Sequence, residues 1–432
     1  MKLKALLFFA ALILFAPAVL ASTTWYANGG TGSDSHNCLS PTTACKTIGH
    51  AISLASSGDT IMVAASTYTE NLTIGISLSI AGSGAATTIV DGGGTYTVIA
   101  ISNSGAQVTL SKLTIRHGTS QFGGGIHNSG KLTINNSILS GNKSSNSCTN
   151  LCPSSGGGIF NNGGTLAINN STLTENTASI SCTGQCHSQG GGIFNNGGTL
   201  AIINSTLSTN IASASCPFRG AFCTGDGGGI FNYGGALMIS RSTINGNSAN
   251  AGGGIDNNSG TLTISDSTFY GNSANFNRGN AFGGGIVSGA ATISNSTFGG
   301  NSAQGSLGSF GGGIYGDVTL QNSIVAHSPA GGNCAGQITS HGYNLSSDGT
   351  CNFNAHGDLN NHDPLLGPLQ NNGGPTHTMA LLPGSPAIDG GNPSGCTDGQ
   401  GHLLKTDQRG APRPDREDKV GCDIGAFERQ SD

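Results

Sequence analysis

The stretch Gly156-Gly-Gly-Ile-Phe-Asn-Asn-Gly-Gly-Thr-Leu-Ala-Ile-Asn-Asn-Ser-Thr-Leu-Thr-Glu-Asn176 decides the fold. It holds three short runs of period-2 alternation separated by Gly and Asn, which is strand chemistry and not helix chemistry. Its Gly-Gly-Gly-Ile head recurs, ending at Ile126, Ile159, Ile193, Ile230, Ile255, Ile286 and Ile314. The intervals are 33, 34, 37, 25, 31 and 28 residues, inside the period of roughly 20–50 residues that marks a solenoid. Each unit offers inward apolar residues on three strands. The first gives the head Ile. The second gives pairs such as Leu132/Ile134, Leu166/Ile168, Leu200/Ile202, Leu237/Ile239 and Leu262/Ile264. The third gives Leu139, Leu173, Leu207, Ile244, Phe269, Phe298 and Val325. Three strands per unit predict an all-β solenoid, a parallel β-helix whose coils stack about 4.8 Å apart.

The turns carry their own pattern. Asn142, Asn176, Asn210, Asn247, Asn272 and Asn301 hold one position in successive units. Stacked Asn side chains can hydrogen-bond along such a ladder, and Asn tolerates left-handed backbone angles. The triple Gly lets the chain turn with positive φ and approach the coil below. A phosphate cradle would need a helix behind the Gly run and usually a Lys, and seven copies without either exclude it. The variable length falls between the third strand and the next Gly run. Ser144–Ser155, Ala178–Gln189 and Ala212–Asp226 are predicted to project from one edge as small stapled loops, each with one Cys pair.

Outside the regular coils at 123–326, residues 1–21 read as a secretory signal. Lys2 and Lys4 precede the apolar run Leu6 to Phe15, and Val19-Leu20-Ala21 is a small-residue cleavage site, so the mature chain is expected to begin at Ser22. The apolar run is short of the roughly 20 residues that span a bilayer, and no membrane span is expected after cleavage. The solenoid is assigned to 22–330. A short helix near Thr47–Ala55 is expected to plug its N-terminal end. The composition shifts after residue 330: 14 of the 37 charged residues lie between Asp398 and Asp432. This assigns 331–432 to a separate C-terminal cap module. Its Arg and Asp residues suit salt bridges. Alternatively Asp407, Asp415, Glu417, Asp418 and Asp423 supply the hard oxygens that calcium takes, although their spacing fits no EF-hand loop. No other metal or cofactor is expected.

Twelve Cys in an exported chain suggest six local disulfides: Cys38/Cys45, Cys148/Cys152, Cys182/Cys186, Cys216/Cys223, Cys334/Cys351 and Cys396/Cys422. The competing reading is a zinc site of Cys148, Cys152, Cys182 and Cys186, two C-x3-C pairs at ligand spacing. Charged residues are only 9% of the chain and the net charge is -5, which excludes a nucleic-acid-binding surface.

The stretch Asp363-Pro-Leu-Leu-Gly-Pro-Leu-Gln-Asn-Asn-Gly-Gly-Pro-Thr-His-Thr-Met-Ala-Leu-Leu-Pro-Gly-Ser-Pro-Ala-Ile-Asp389 resembles the signature of the choice-of-anchor Q domain of bacterial surface and secreted proteins. Asp407-Gln-Arg-Gly-Ala-Pro-Arg-Pro414, Cys422-Asp-Ile-Gly-Ala-Phe-Glu428 and Gly342-Tyr-Asn-Leu-Ser-Ser-Asp348 continue the likeness. The repeats before them resemble those of right-handed, pectin-lyase-like β-helices, and less specifically the Gly-Gly-x-Ile repeats of chlamydial polymorphic outer-membrane proteins. The resemblance implies a right-handed helix and a secreted or envelope-associated life. It brings no assigned catalytic residues.

Pectin-lyase-like folds host polysaccharide lyases, hydrolases and epimerases, but a fold does not confer an activity. Hydrolysis needs carboxylates set on one face. Between residues 120 and 330 the acids are Glu175, Asp226, Asp256, Asp266 and Asp317, with Arg116, Arg241 and Arg278 as candidate bases for a lyase. Asp256 and Asp266 share one coil and are expected on different faces, as solvated surface acids. Phe160, Phe194 and Phe231 follow the head Ile in three consecutive coils. By alternation they point outward, as a stripe suited to sugar rings or a protein partner, unless the insertions fold over it. The expectation is therefore a secreted or cell-surface β-helix with a non-catalytic adhesive role towards an extracellular polysaccharide or surface protein. The alternatives are a polysaccharide lyase or glycoside hydrolase, and a structural envelope protein.

Overall fold

The computed structural model describes residues 22–148, 152–216, 223–398, 401–415 and 421–431. The expected signal segment lies outside the described residues, as do Glu417, Asp418 and the side chain of Cys148. In the quoted coil the three strands are Ile159–Asn162, Thr165–Asn169 and Thr172–Thr174. Each pairs in parallel with its equivalent one coil on, Ile159 with Ile193, Leu166 with Leu200 and Leu173 with Leu207. First and second strands build one 19-stranded sheet and third strands a 12-stranded sheet. The chain is a right-handed parallel β-helix. All seven head isoleucines are completely buried in one continuous core with the Leu/Ile pairs of the second strands. Each such side chain contributes about 1.5–3 kcal/mol.

The Gly run has two jobs. Gly156 sits at φ +67, the left-handed region. Gly158 lies so close to the next coil that an added Cβ would come 2.6 Å from the Gly192 carbonyl oxygen. Beside it runs the expected Asn ladder. Asn142 Nδ2 donates to Asn176 Oδ1 at 3.0 Å, Asn176 to Asn210 at 3.0 Å, Asn210 to Asn247 at 2.9 Å, and the chain continues through Asn272 to Asn301. The left-handed angles fall one residue earlier than expected, at Gly141, Glu175, Thr209, Gly246, Gly271 and Gly300. Two further ladders escaped the sequence reading. Asn128, Asn161, Asn195, Asn232 and Asn257 are linked side chain to side chain at 2.6–2.7 Å. Ser137, Ser171, Ser205, Ser242 and Ser267 each take a backbone N–H from the coil before, at 3.1–3.2 Å.

A helix spans Ile48–Leu54, with Thr47 capping its start by accepting from His50 N at 3.1 Å. Ile48 and Ala51 press on the core end. At the other end parallel pairing continues past residue 330 through Cys334–Ser340, Leu345–Ser346 and Leu359–Asn360. Cys334, Cys351 and Phe353 close the core there. The rest of the C-terminal module does more than stop the far end. It runs back along the corner between second and third strands. Gln408 Nε2 donates to Thr243 Oγ1 at 3.0 Å, Thr397 O accepts from Asn295 at 2.7 Å and Ala426 N donates to Thr297 Oγ1 at 3.0 Å. No helix among the described residues is long and apolar enough to cross a membrane.

Candidate functional site

The insertions are strands and not loops. Lys143–Cys148, Thr177–Cys182 and Ile211–Ser215 stack in parallel as the rising limbs of three arches, and Cys152–Ser155, Cys186–Gln189 and Cys223–Asp226 stack as their returning limbs. They extend the solenoid sideways because each insertion enters and leaves at an equivalent position, so neighbouring arches satisfy each other's backbone. Cys182–Cys186 and Cys216–Cys223 are disulfides, with all four sulfurs within 4.8 Å of one another. Cys38–Cys45, Cys334–Cys351 and Cys396–Cys422 are also bonded. Bonded sulfurs have no free thiolates for the zinc alternative. The Cys148/Cys152 pairing falls partly outside the described residues.

Phe160, Phe194 and Phe231 point away from the main core, as alternation requires, but they are not an exposed stripe. They are only 7%, 8% and 2% exposed. Their rings pack on one another at 5.3 Å between centroids, with Phe122 closing the row 5.2 Å from Phe160. The left-handed Gly156, Gly190 and Gly227 bend the returning limb sharply onto the first strand, and the rings fill the angle between the two. These three residues are therefore not available as a sugar-stacking surface.

The column changes character where the repeat shortens. The 25-residue interval between Ile230 and Ile255 leaves no room for a fourth tall arch; Ser248–Ala249 is a two-residue strand there, and Ala251 bridges to Asp226 and Phe282. Smaller arches resume at Ser273–Phe276 with Asn280–Phe282, and at Ser302–Gly305 with Gly308–Phe310. The result is a cleft of about 480 Å³ over Asn250, with Cys216 and Cys223 on one wall and Phe276, Arg278 and Phe282 on the other. Arg278 Nη1 crosses it to donate to Cys216 O at 2.9 Å. In the same coil the aromatic column ends. Phe231 pairs in register with Asp256, which pairs in turn with Val287, and Val287 with Tyr315.

Asp256 is not the solvated acid expected. It is 8% exposed, between Phe231 and Val287 on the adjoining strands. It makes no hydrogen bond or ion pair with any described residue. Its side chain lines an open recess of about 600 Å³ with Asn257, Asn258, Ser259 and Val287. Burial pushes its pKa well above the usual carboxylate range, and the nearby charge of Asp226 pushes it further. Asp226 ends the returning limb of the third arch and is half-buried. Burial raises it to about 6, against a 3.0 Å hydrogen bond from Thr224 Oγ1 and the charge of His187. His187 Nδ1 lies 3.0 Å from the same hydroxyl. One carboxyl thus belongs to the sheet and the other to the arch wall, at the one place where the arches part. Two signals in the sequence mark the spot: the shortest interval of the series, and an acid where three coils have Phe.

Asp266 is also buried, at 4% exposed, and on the opposite corner as expected. It takes the left-handed turn position, φ +45, that Asn170 and Asn204 occupy in other coils. The C-terminal module covers it, and Arg413 Nη1 lies 3.3 Å from its Oδ1 while Arg413 Nε lies 2.8 Å from Glu428 Oε2. Burial raises both carboxyls to about 7, with Arg413 pulling them back. Asp407 pairs with Arg409 at 2.7 Å and accepts the N–H groups of Ala411 and Glu428 at 3.0 Å. Asp423 accepts from Asp389 N at 2.9 Å. Of the acids considered for calcium, these two spend their oxygens on the module's own backbone. Arg241, at φ +48, sits in the left-handed corner position of its coil, one coil before Asp266.

No protein-family model and no curated protein matches the chain. Solved structures do. One, described as XylC in complex with xylose, superposes with a TM-score of 0.52 at 9% identity, covering 94% of this chain and 98% of its own. Another, the pectate lyase Pel9A, gives 0.45 at 14% identity, covering 95% and 98%. What is shared is the architecture. The first likeness spans both chains almost end to end and places this protein among the parallel β-helices.

Proposed function

We propose that the protein is an exported polysaccharide-binding β-helix of choice-of-anchor Q kind, whose ligand lies across the outward face of the first-strand sheet where the arches part. The observation that carries this reading is the recess over Asp256, Asn258 and Val287: it is concave, open, and lined by amides and a hydroxyl beside apolar side chains. Tyr233 stands in register with Asn258, is 51% exposed, and stacks on Phe231 with 6.4 Å between centroids and 10° between planes. A ring held flat at the edge of a polar recess suits a sugar face. Disulfides fit an oxidising compartment, and a protein of this fold solved with xylose supports the class of ligand. The test is retention of the oxidised chain on xylan, polygalacturonate and mixed-linkage glucan by affinity electrophoresis. Retention by one of them that Tyr233→Ala abolishes is the expected result. Equal migration with and without every polysaccharide overturns the reading.

A further inference from the structure

We propose that the recess selects a cationic sugar: Asp256 pairs with the ammonium group of an unacetylated amino-sugar residue in the bound polysaccharide. The inference rests on the polysaccharide reading and names the class of sugar.

Asp256 carries the argument through its surroundings. It is 8% exposed and continues the column of Phe160, Phe194 and Phe231. Its neighbours across the sheet, Phe231 and Val287, offer it nothing polar. A carboxyl buried nine-tenths without a partner costs stability. Asp266 of the same coil shows how this protein treats a structural buried acid: it supplies Arg413. Among the described residues Asp256 receives no cation, and Arg278, in the first of the smaller arches, donates to Cys216 O at 2.9 Å instead. What Asp256 does face is the open recess, lined otherwise by uncharged residues such as Asn257, Asn258, Ser259 and Val287. The group that completes it therefore comes with the ligand.

The lining fixes the kind of cation. Calcium takes about six to eight oxygens, several of them from carboxylates, and one carboxyl beside amides and a hydroxyl falls short of that. A primary ammonium brings one charge and a few donors. Asp256 meets the charge. Asn258 Oδ1 and Ser259 Oγ, joined at 3.0 Å, keep lone pairs for the remaining N–H groups. The flat ring of Tyr233 beside Asn258 takes a pyranose face, so the ammonium rides on a sugar and not on a lysine chain. The field points the same way. The strands of Phe231 and Val287 bring no charge, Asp226 in the arch wall adds a negative one, and His187 meets Asp226 through Thr224. A uronate is repelled here and a free amine attracted.

Pairing has a proton signature. Burial and Asp226 keep the free Asp256 protonated well above the usual carboxylate range. Carboxyl and ammonium combine to a carboxylate–ammonium pair, and one proton leaves to solvent.

The experiment is calorimetric titration of the oxidised full chain at pH 6, in two buffers of different ionisation heat. The probes are a β-1,4-linked glucosamine tetramer, its fully N-acetylated counterpart, a tetramer from mixed-linkage glucan, and trigalacturonate. We expect the glucosamine tetramer to bind about 10–100-fold more tightly than the glucan tetramer, with proton release, the acetylated tetramer to gain nothing over glucan, and galacturonate to bind worst. Asp256→Asn should erase the amine's advantage and the proton release together. Asparagine keeps the side-chain shape, and a melting transition that is unchanged or higher shows that the variant folds. Equal or tighter binding of the acetylated tetramer or of galacturonate overturns the inference and leaves the polysaccharide reading standing. So does an amine preference that survives in Asp256→Asn, which marks only the pull of an acidic chain on a cation. A trilysine peptide bound as tightly as the glucosamine tetramer overturns the sugar assignment in favour of a protein partner. No binding of any saccharide removes the polysaccharide reading and the inference together.

Discussion

Asp256 and Asp266 lie ten positions apart in one coil, and both are buried. On the corner of Asp266 the C-terminal module brings Arg413, Gln408 and Glu428. On the face of Asp256 the solenoid brings an apolar row and an open recess. One acid belongs to the assembly of the fold. The other is kept where the fold gains nothing from it. Burial alone therefore does not distinguish a structural carboxylate from a functional one, but the presence or absence of a partner does.

The largest expected effect tests the first half of that contrast. Arg413→Ala takes from Asp266 and Glu428 the cation that pairs with both, and removing one partner of a buried pair typically costs about 3–5 kcal/mol. Denaturant unfolding should show this loss. A change below about 1 kcal/mol would mean the module is only loosely docked on that corner.

Asp256→Asn should do the reverse and raise stability at pH 8 by about 1 kcal/mol or more, because the amide cannot take the charge that burial and Asp226 disfavour. The sign depends on pH. The native pKa of Asp256 lies above its unfolded value of about 3.9, so its penalty is absent below that value and grows as pH rises towards the native one. The variant's advantage should therefore vanish near pH 4 and widen on the alkaline side. The charged group facing Asp256 is Asp226, so doubling with Asp226→Asn should shrink the gain. Melting curves of both proteins across pH measure it, and a variant less stable than the parent at pH 8 would contradict an unpartnered acid.

The Asn ladder gives a reference for a polar group that is fully used. Asn176 donates to Leu139 O and Asn210 Oδ1 at 3.0 Å and accepts from Asn142 N at 3.1 Å. Asn176→Ala should destabilise by about 1–3 kcal/mol, opposite in sign to Asp256→Asn. The smallest effect on stability is expected at Tyr233→Ala, within roughly 0.5 kcal/mol for an exposed site, although polysaccharide retention is lost.

Much of the architecture was legible because the repeat states it many times. The head Ile, the second-strand pairs and the Asn142 column all recur, and a repeated signal overrides local ambiguity. The second Asn ladder was within reach: alternation places Phe160 outward and hence Asn161 inward, beside Ile159. The arches were misread as loops because Ser, Gly and Cys mark turns in isolation, whereas their strand character comes from an equivalent arch on the neighbouring coil. The burial of Phe160 could not be settled for the same reason, since it depends on the angle at Gly156. Asp256 and Asp266 looked solvated because a charged residue outside the core face ordinarily is. One is covered by a segment about 150 residues later in the chain and the other by side chains of adjoining coils, and neither cover is visible along a single unit.

The in-register stacking of the arches and ladders has a consequence for how such a chain can change. Excising residues 160–193, one whole 34-residue turn, would bring Asn195, Leu200 and Asn210 onto Asn128, Leu132 and Asn142, the same chemistry they meet now, while Phe194 would stand on His127 in place of Phe160. Adding or removing a single residue would instead throw every ladder in that turn out of step. Growth by complete turns is nearly neutral and growth by fractions is not, so the length of the molecule is free to drift in steps of one coil while the gap beside Asp256 depends on one turn staying short.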